Sequence, residues 1–251
     1  MVKRMFDAVL AAVGLVMFSP ILVPAMIAVW LQDFHSPFYI AGRVGRNNMP
    51  FRMVKLRSMV INADKAGVDS TSANDRRITI VGHLIRRWKL DELSQLWNVL
   101  VGDMSLVGPR PNVPNETGRY TETERRLLSV KPGITDIASI VFSDEGHILA
   151  DSADPDLDYN RLIRPWKSRL GLLYVENSSL RLDLELIVLT ALAIVSRTSA
   201  LRFVDRILER IDAPADVREV ARRRKPLVPS APPGAERPVI AADIYGPGVP
   251  A

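Results

Sequence analysis

An almost unbroken apolar run, Phe6 to Leu31, opens the chain, and its only charge is Asp7. It is long enough to cross a bilayer, which takes about 20 apolar residues. It is too long for a signal peptide and has no convincing small-residue cleavage pattern. Ser19-Pro20 and Pro24 sit mid-run, where proline removes a backbone hydrogen bond and bends or breaks a helix. Lys3 and Arg4 precede the run; Arg43, Arg46, Arg52, Lys55 and Arg57 follow it, with no acid between Phe34 and Ala63. Cationic flanks favour the cytoplasmic side, and both flanks here are cationic. The pattern predicts that residues 1–33 form a helix that breaks at Ser19 and Pro20 and leaves by the face it entered. A single kinked span is the close alternative.

Beyond Asp33, Phe38-Tyr39-Ile40 and Phe51-Arg52-Met53-Val54 read as two short strands joined by a turn at Gly42–Asn48. Lys55 and Arg57 alternate and would share a strand face. Residues 61–74 read as a helix end and loop. Leu93, Leu96, Trp97 and Leu100 then recur at i, i+3, i+4 and i+7, the apolar stripe of a helix. Leu180–Val195 is apolar but short for a span, which suggests a buried or interfacial helix. Leu201, Val204, Leu208 and Ile211 form another stripe, flanked by Arg202, Arg206 and Arg210. Such a helix suits either anionic lipid or the domain itself. The remainder carries Arg222-Arg223-Arg224-Lys225, a candidate contact for lipid headgroups, and seven prolines from Pro226 to Pro250. A tail of that composition is expected to be disordered.

Charge narrows the partner. The net charge is +5 over 251 residues, which points to an anion: nucleic acid, lipid or a phosphorylated small molecule. Interleaved aromatics and a helix-turn-helix are both missing, so nucleic acid is not expected. There is no cysteine, and the three histidines are scattered, which argues against a thiolate or histidine metal site. The acids of residues 143–158 lack the calcium-hand pattern and read as a solvated loop.

The candidate chemistry lies in IRRWKLDELSQLWNVLVGDMSLVGPRP, residues 85–111. Asp91 and Glu92 are adjacent at a predicted helix start, behind Arg86, Arg87 and Lys89. A helix start offers free N–H groups to a phosphate. The plain alternative is that Asp91 is only an N-cap and Glu92 only complements the helix dipole. In the sharper reading one carboxylate attacks phosphorus and the other holds Mg2+, a hard ion suited to carboxylate and phosphate oxygens. Adjacent helical positions diverge by about 100°, so the two would divide these tasks. Arg110, framed by Gly108, Pro109 and Pro111, suits bidentate phosphate contact.

These pieces together resemble the bacterial sugar transferases known as monotopic phosphoglycosyl transferases. The resemblance is carried by KRMFD (3–7), the Ser19-Pro20 break, GRVGRNNMPFRMVKLRSM (42–59), DRRIT (75–79), LDELSQLWNVLVGDMSLVGPRP (90–111), KPGIT (131–135) and YVENSSLRLDLELIVLT (174–190). It covers about residues 3 to 195. It implies transfer of a sugar-1-phosphate from a UDP-sugar to undecaprenyl phosphate, with release of UMP. By it, Asp91 forms an aspartyl phosphosugar, Glu92 helps hold Mg2+, and Lys55, Arg57, Arg86 and Arg110 surround the phosphates. It further implies the cytosolic face of the bacterial inner membrane, with membrane lipids as partners and a homodimer left open. Ser94 stands where the family commonly has proline, Asp136 where glycine often follows Pro-Gly-Ile-Thr, and Gly171 where an acid is common. A catalytically silent anchor or partner-binding subunit of a polysaccharide assembly is the alternative function.

The expected fold is α+β: a mostly helical monotopic membrane protein with a re-entrant N-terminal helix, interfacial helices and a small β-hairpin. The expected divisions are 1–33 membrane helix–break–helix, 34–200 catalytic domain, 201–212 amphipathic helix and 213–251 tail.

Overall fold

A computed structural model describes residues 2–63 and 75–246. Of the loop expected at 61–74, only 61–63 fall within it. The fold is helix-rich, with small two-stranded sheets and one long apolar helix at the N-terminus. The chain divides into two compact units.

The first unit holds the described residues up to 118, together with 130–134. Its elements are α1 (Val2–Leu31), β1 (Phe38–Val44), β2 (Pro50–Leu56), α2 (Ile80–Arg87), α3 (Leu90–Leu93), α4 (Leu96–Val101), β3 (Ser105–Val107) and α5 (Pro114–Thr117). β1 and β2 form the expected hairpin, longer than predicted, with Tyr39 opposite Lys55 and Gly42 opposite Arg52. A second pairing, β3 with β4 (Gly133–Thr135), was not legible in the pattern, because three-residue strands show no periodicity.

α1 runs without interruption through Pro20 and Pro24, so the expected break is not a gap in the helix. The reason lies beside the proline. Pro20 has no N–H to give the carbonyl four residues back, that of Val16. Ser19 Oγ donates to that same carbonyl at 2.8 Å, a substitution that lets proline stay inside apolar helices. Both ends of α1 are fixed to the first unit. Arg4 donates to the Val99 and Leu100 carbonyls at 2.6 and 2.7 Å, which caps the end of α4. Buried Asp7 accepts from Ser105 Oγ at 2.8 Å and from the Leu106 N–H at 3.2 Å. Past the other end, Asp33 takes the Arg57 fork at 2.5 and 2.7 Å. Between these anchors, Ala11, Leu15 and Phe18 join an apolar cluster with Ala41, Met53, Leu96, Val99 and Met104. Ala25, Met26 and Val29 join another with Leu56, Ile85 and Leu90. The opposite side, including Val9, Val13, Val16, Ile21 and Ile27, is exposed.

The second unit contains α6 (Glu122–Arg125), α7 (Ile137–Val141), α8 (Glu145–Ile148), α9 (Pro155–Asp158), α10 (Arg164–Asn177), α11 (Leu180–Val195), α12 (Arg197–Arg210), α13 (Ala215–Ala221) and α14 (Ala241–Tyr245). Leu201, Val204 and Leu208 of α12 are buried where it packs on α7, α11 and α13, so its stripe faces protein. The acidic loop is paired with cations: Asp144 with Arg197 (2.8 Å) and Arg223 (3.3 Å), and Glu145 with Lys167. The expectation of a disordered tail gives way over 213–246. Arg169 and Thr121 donate to the Ala231 and Pro233 carbonyls, Tyr245 donates to Asp154 at 2.7 Å, and Val217 and Ala221 are buried. Composition hid this because the tail docks through backbone carbonyls, which proline retains. Within the basic cluster Arg222 pairs with Asp205, Arg223 with Asp144 and Lys225 with Glu219, while Arg224 and Lys225 stay exposed.

Candidate active site

Asp91 and Glu92 lie in α3, a single turn. The residue before it, Lys89, has φ 53° and ψ 30°, a left-handed conformation that costs a non-glycine residue on the order of 1 kcal/mol. This kink swings the chain sharply from α2 into α3. It also replaces the expected N-cap: Lys89 occupies that position and its side chain caps nothing, while Asp91 sits one residue inside the helix. The expected long helix is divided as well. Gln95 and Trp97 donate their N–H groups to the Glu92 and Ser94 carbonyls, three residues back, and so tighten the turn between α3 and α4. Leu96 is consequently buried while Trp97 is 52% exposed, against the predicted stripe.

Two side chains fasten this segment to β2. Asn98 accepts from the Val54 N–H (2.8 Å) and donates to the Arg52 carbonyl (2.7 Å). Ser94 Oγ lies 3.3 Å from the Val54 carbonyl and 3.0 Å from that of Asp91. Together they satisfy the open edge of the strand and fix Lys55 beside the dyad. Sequence reading missed both roles. The available signal was two short polar residues at i, i+4 within an otherwise apolar stretch.

Arg110 is placed by a backbone contact. A Cβ on Gly108 would lie 2.4 Å from the Lys131 carbonyl oxygen, and one on Gly133 would lie 2.1 Å from the Gly108 nitrogen. Only glycine fits at either position, and the Gly133 N–H donates to the Pro109 carbonyl at 3.0 Å. The KPGIT and GPRP motifs thus form one joint. From it Arg110 Nη2 reaches Glu92 Oε1 at 2.8 Å.

Asp91, Glu92, Lys55, Arg86 and Arg110 therefore share one electrostatic cluster. Each acid keeps a sliver of open surface, yet protein surrounds it closely enough for desolvation to dominate. Burial, and Glu92 next, push the Asp91 carboxyl above the usual carboxylate range, against the pull of Lys55, Arg86 and Arg110. Burial would raise Glu92 too, but Arg110, with Lys89 and Lys55, holds it at about 2. Burial, and Arg110 next, lower Lys55 to about 8, although Asp91 and Glu92 oppose this. One acid is thus kept ionised by its own arginine while its neighbour is the more basic, a division suited to a nucleophile beside a charge-holding partner.

Arg57 stands apart from this arrangement. Its fork is spent on Asp33, and it also donates to the Ser36 carbonyl at 2.9 Å. For a metal, no group of three or more His, Cys, Asp or Glu side chains converges among the described residues. One carboxylate, that of Glu92, nonetheless fits what Mg2+ can take from protein when substrate phosphates and water complete its shell.

Comparison with known proteins places the chain. Residues 1–197 match the bacterial sugar transferase family. It is 39% identical over 147 residues to a Bacillus subtilis protein named as an undecaprenyl-phosphate N-acetylgalactosaminyl 1-phosphate transferase, covering 54% of this chain and 82% of that one. It is 36% identical over 155 residues to the exopolysaccharide production protein ExoY of Rhizobium meliloti, covering 56% and 69%. It is 31% identical over 198 residues to a UDP-N-acetylgalactosamine-undecaprenyl-phosphate N-acetylgalactosaminephosphotransferase of Aeromonas hydrophila, covering 78% of this chain but 44% of that one. The chain belongs to the bacterial sugar transferase family and is an enzyme of the transferase class. It spans less than half the length of several relatives it matches.

Proposed function

We propose that this protein transfers a sugar-1-phosphate from a UDP-sugar to undecaprenyl phosphate and releases UMP, as a membrane step of exopolysaccharide assembly. The observation that carries the reading is the Asp91–Glu92 pair held among Lys55, Arg86 and Arg110, with Arg110 on Glu92 at 2.8 Å. The relatives' substrates support it.

In this reading an Asp91 oxygen attacks the sugar-bearing phosphorus. A bond forms between Asp91 and phosphorus, the bond to the bridging oxygen breaks, and UMP leaves with that electron pair. An oxygen of the lipid phosphate then attacks the same phosphorus and displaces the Asp91 carboxylate, giving the lipid diphosphosugar. Lys55, Arg86 and Arg110 bind the phosphate oxygens and orient the in-line approach. Mg2+, held by Glu92, would neutralise diphosphate charge when bound.

The membrane seat belongs to the same proposal. α1 is the one described helix long and apolar enough to cross a bilayer. Its two ends are fastened to the same unit, which favours entry and exit at one face, taken as the cytosolic face of the inner membrane. Of the four tryptophans, Trp30, Trp88 and Trp97 are exposed at 44, 53 and 52%, all in the first unit, where Ile80 is 91% exposed. Exposed tryptophan beside exposed aliphatics suits a lipid interface.

The test is UMP release from a panel of UDP-sugars by purified protein with undecaprenyl phosphate and Mg2+. Asp91→Asn is expected to abolish it. Full turnover by that variant would overturn the nucleophile assignment.

A further inference from the structure

Tyr39 stands directly opposite Lys55 in the β1–β2 hairpin. Residues paired in this way share one face of the sheet, with Cβ atoms about 5 Å apart. The next pair along that face is Ala41 with Met53, buried at 2 and 3% in the cluster that holds Leu96 and Val99 of α4. Tyr39 and Lys55 continue this face just past the cover that α4 gives. Asp91 and Glu92, on the turn that precedes α4, act on the Lys55 ammonium, as does Arg110, so the dyad adjoins the uncovered end. Tyr39 is 38% exposed there. A tyrosine on a strand is ordinary, since aromatic residues favour strands; its place opposite Lys55 is what singles this one out.

The order of the elements gives a direction. Ser94 and Asn98 fasten the α3–α4 segment to one edge of β2, at Arg52 and Val54, and β1 pairs with the other edge. Across the sheet the order is therefore dyad, Lys55, Tyr39. In-line displacement sends the leaving group off on the side of phosphorus opposite the attacking oxygen. With Lys55 on the phosphates, that line runs from α3 across β2 toward β1, one strand spacing of about 4.8 Å further on. Beyond the phosphate of UMP come ribose and then uracil, a flat uncharged base. Cations hold such a base poorly, whereas an aromatic face holds it well.

We infer that Tyr39 is the base-binding residue of the donor site, its ring stacking on the uracil of the UDP-sugar. This rests on the phosphoryl-transfer reading. The contact lasts only while the uridine is bound. After the first half-reaction UMP has left, and the lipid phosphate meets the aspartyl phosphosugar with no base present. A ring that serves the base therefore matters to one substrate and is silent toward the other. A ring that only supports the strand or Lys55 affects both.

The experiment uses the full-length protein in detergent and the UDP-sugar that the panel shows to be turned over. Tyr39→Val keeps strand propensity and removes the ring, and Tyr39→Phe keeps the ring. Tyr39→Val should lower kcat/KM for the UDP-sugar roughly 10- to 100-fold and weaken UMP, titrated calorimetrically, by a similar factor, the effect of losing one base–aromatic stack. Its kcat/KM for undecaprenyl phosphate and its affinity for inorganic pyrophosphate should stay at wild-type values. Tyr39→Phe should match wild type throughout. Wild-type UMP affinity in Tyr39→Val, or equal losses toward both substrates, would overturn the assignment. Should Tyr39→Val fail to fold, the wild-type protein decides with dihydro-UMP, whose saturated base stacks poorly. Binding roughly 10-fold weaker than UMP upholds the stack, and equal binding refutes it. A folded wild type that releases no UMP from any UDP-sugar defeats the phosphoryl-transfer reading and this inference with it. UMP release that Tyr39→Val sustains at the wild-type kcat/KM defeats the inference alone.

Discussion

Arg110 Nη2 lies 2.8 Å from Glu92 Oε1, and this contact sets the charge state of the dyad. Arg110 is the leading influence that lowers Glu92, and it also lowers Asp91. Arg110→Ala should drop kcat/KM by roughly 100-fold, as expected for loss of a charge-assisted phosphate contact. It should also move the acid limb of the pH profile upward, because both carboxyls lose a stabilising cation. An unchanged acid limb would detach Arg110 from the dyad.

The wild-type pH profile of kcat/KM should be bell-shaped. On the proposed mechanism Asp91 attacks only as the carboxylate, and its raised pKa places the acid limb above the range of an ordinary aspartate. Lys55 carries its charge below about 8 and loses it above, which gives the alkaline limb. Lys55→Arg keeps the charge at all working pH values and should remove that limb, with some loss of rate from altered geometry. A wild-type rate that stays level well above pH 8 would show that the charge on Lys55 is dispensable.

Asn98→Leu strips β2 of the partners for its Val54 N–H and Arg52 carbonyl. Two part-buried backbone groups left unpaired should cost about 2 kcal/mol, read in chemical denaturation. Ser94→Ala removes a weaker hydroxyl contact and should cost about 1 kcal/mol. The order of the two variants is the check, since equal losses would mean that Asn98 is not the principal fastener.

The chain has no cysteine, so single-cysteine labelling in vesicles is unambiguous. Val2→Cys and Ser36→Cys, placed on either side of the apolar run, should both react with an impermeant thiol reagent from the same face. Reaction from opposite faces would establish a span and remove the monotopic reading.

Much of this architecture is written in local pattern. α11 begins and ends at the predicted residues, Leu180 and Val195, because an apolar block with a Ser179 N-cap needs no tertiary information. The hairpin was visible for the same reason. What the sequence does not display is long-range backbone fit. Gly108 and Gly133 are 25 residues apart in sequence and meet without space for a Cβ. The left-handed Lys89 has no glycine to announce it. Among the basic candidates, Lys55, Arg86 and Arg110 come to the acids, while Arg57 is spent on Asp33. Alternation along a strand cannot see a competing carboxylate beyond the end of α1.

The clasping of α1 at Arg4, Asp7 and Asp33 has a consequence for how this enzyme could ever be handled or rewired. The apolar helix is masonry for the candidate site whatever its part in mooring, since Leu90, Leu96 and Leu56 lean on it from inside. Trimming it to obtain a water-soluble fragment, or grafting a foreign anchor in its place, would unroof the very helix that carries Asp91. On the proposed function, one thirty-residue segment would then serve both the chemistry and the bilayer.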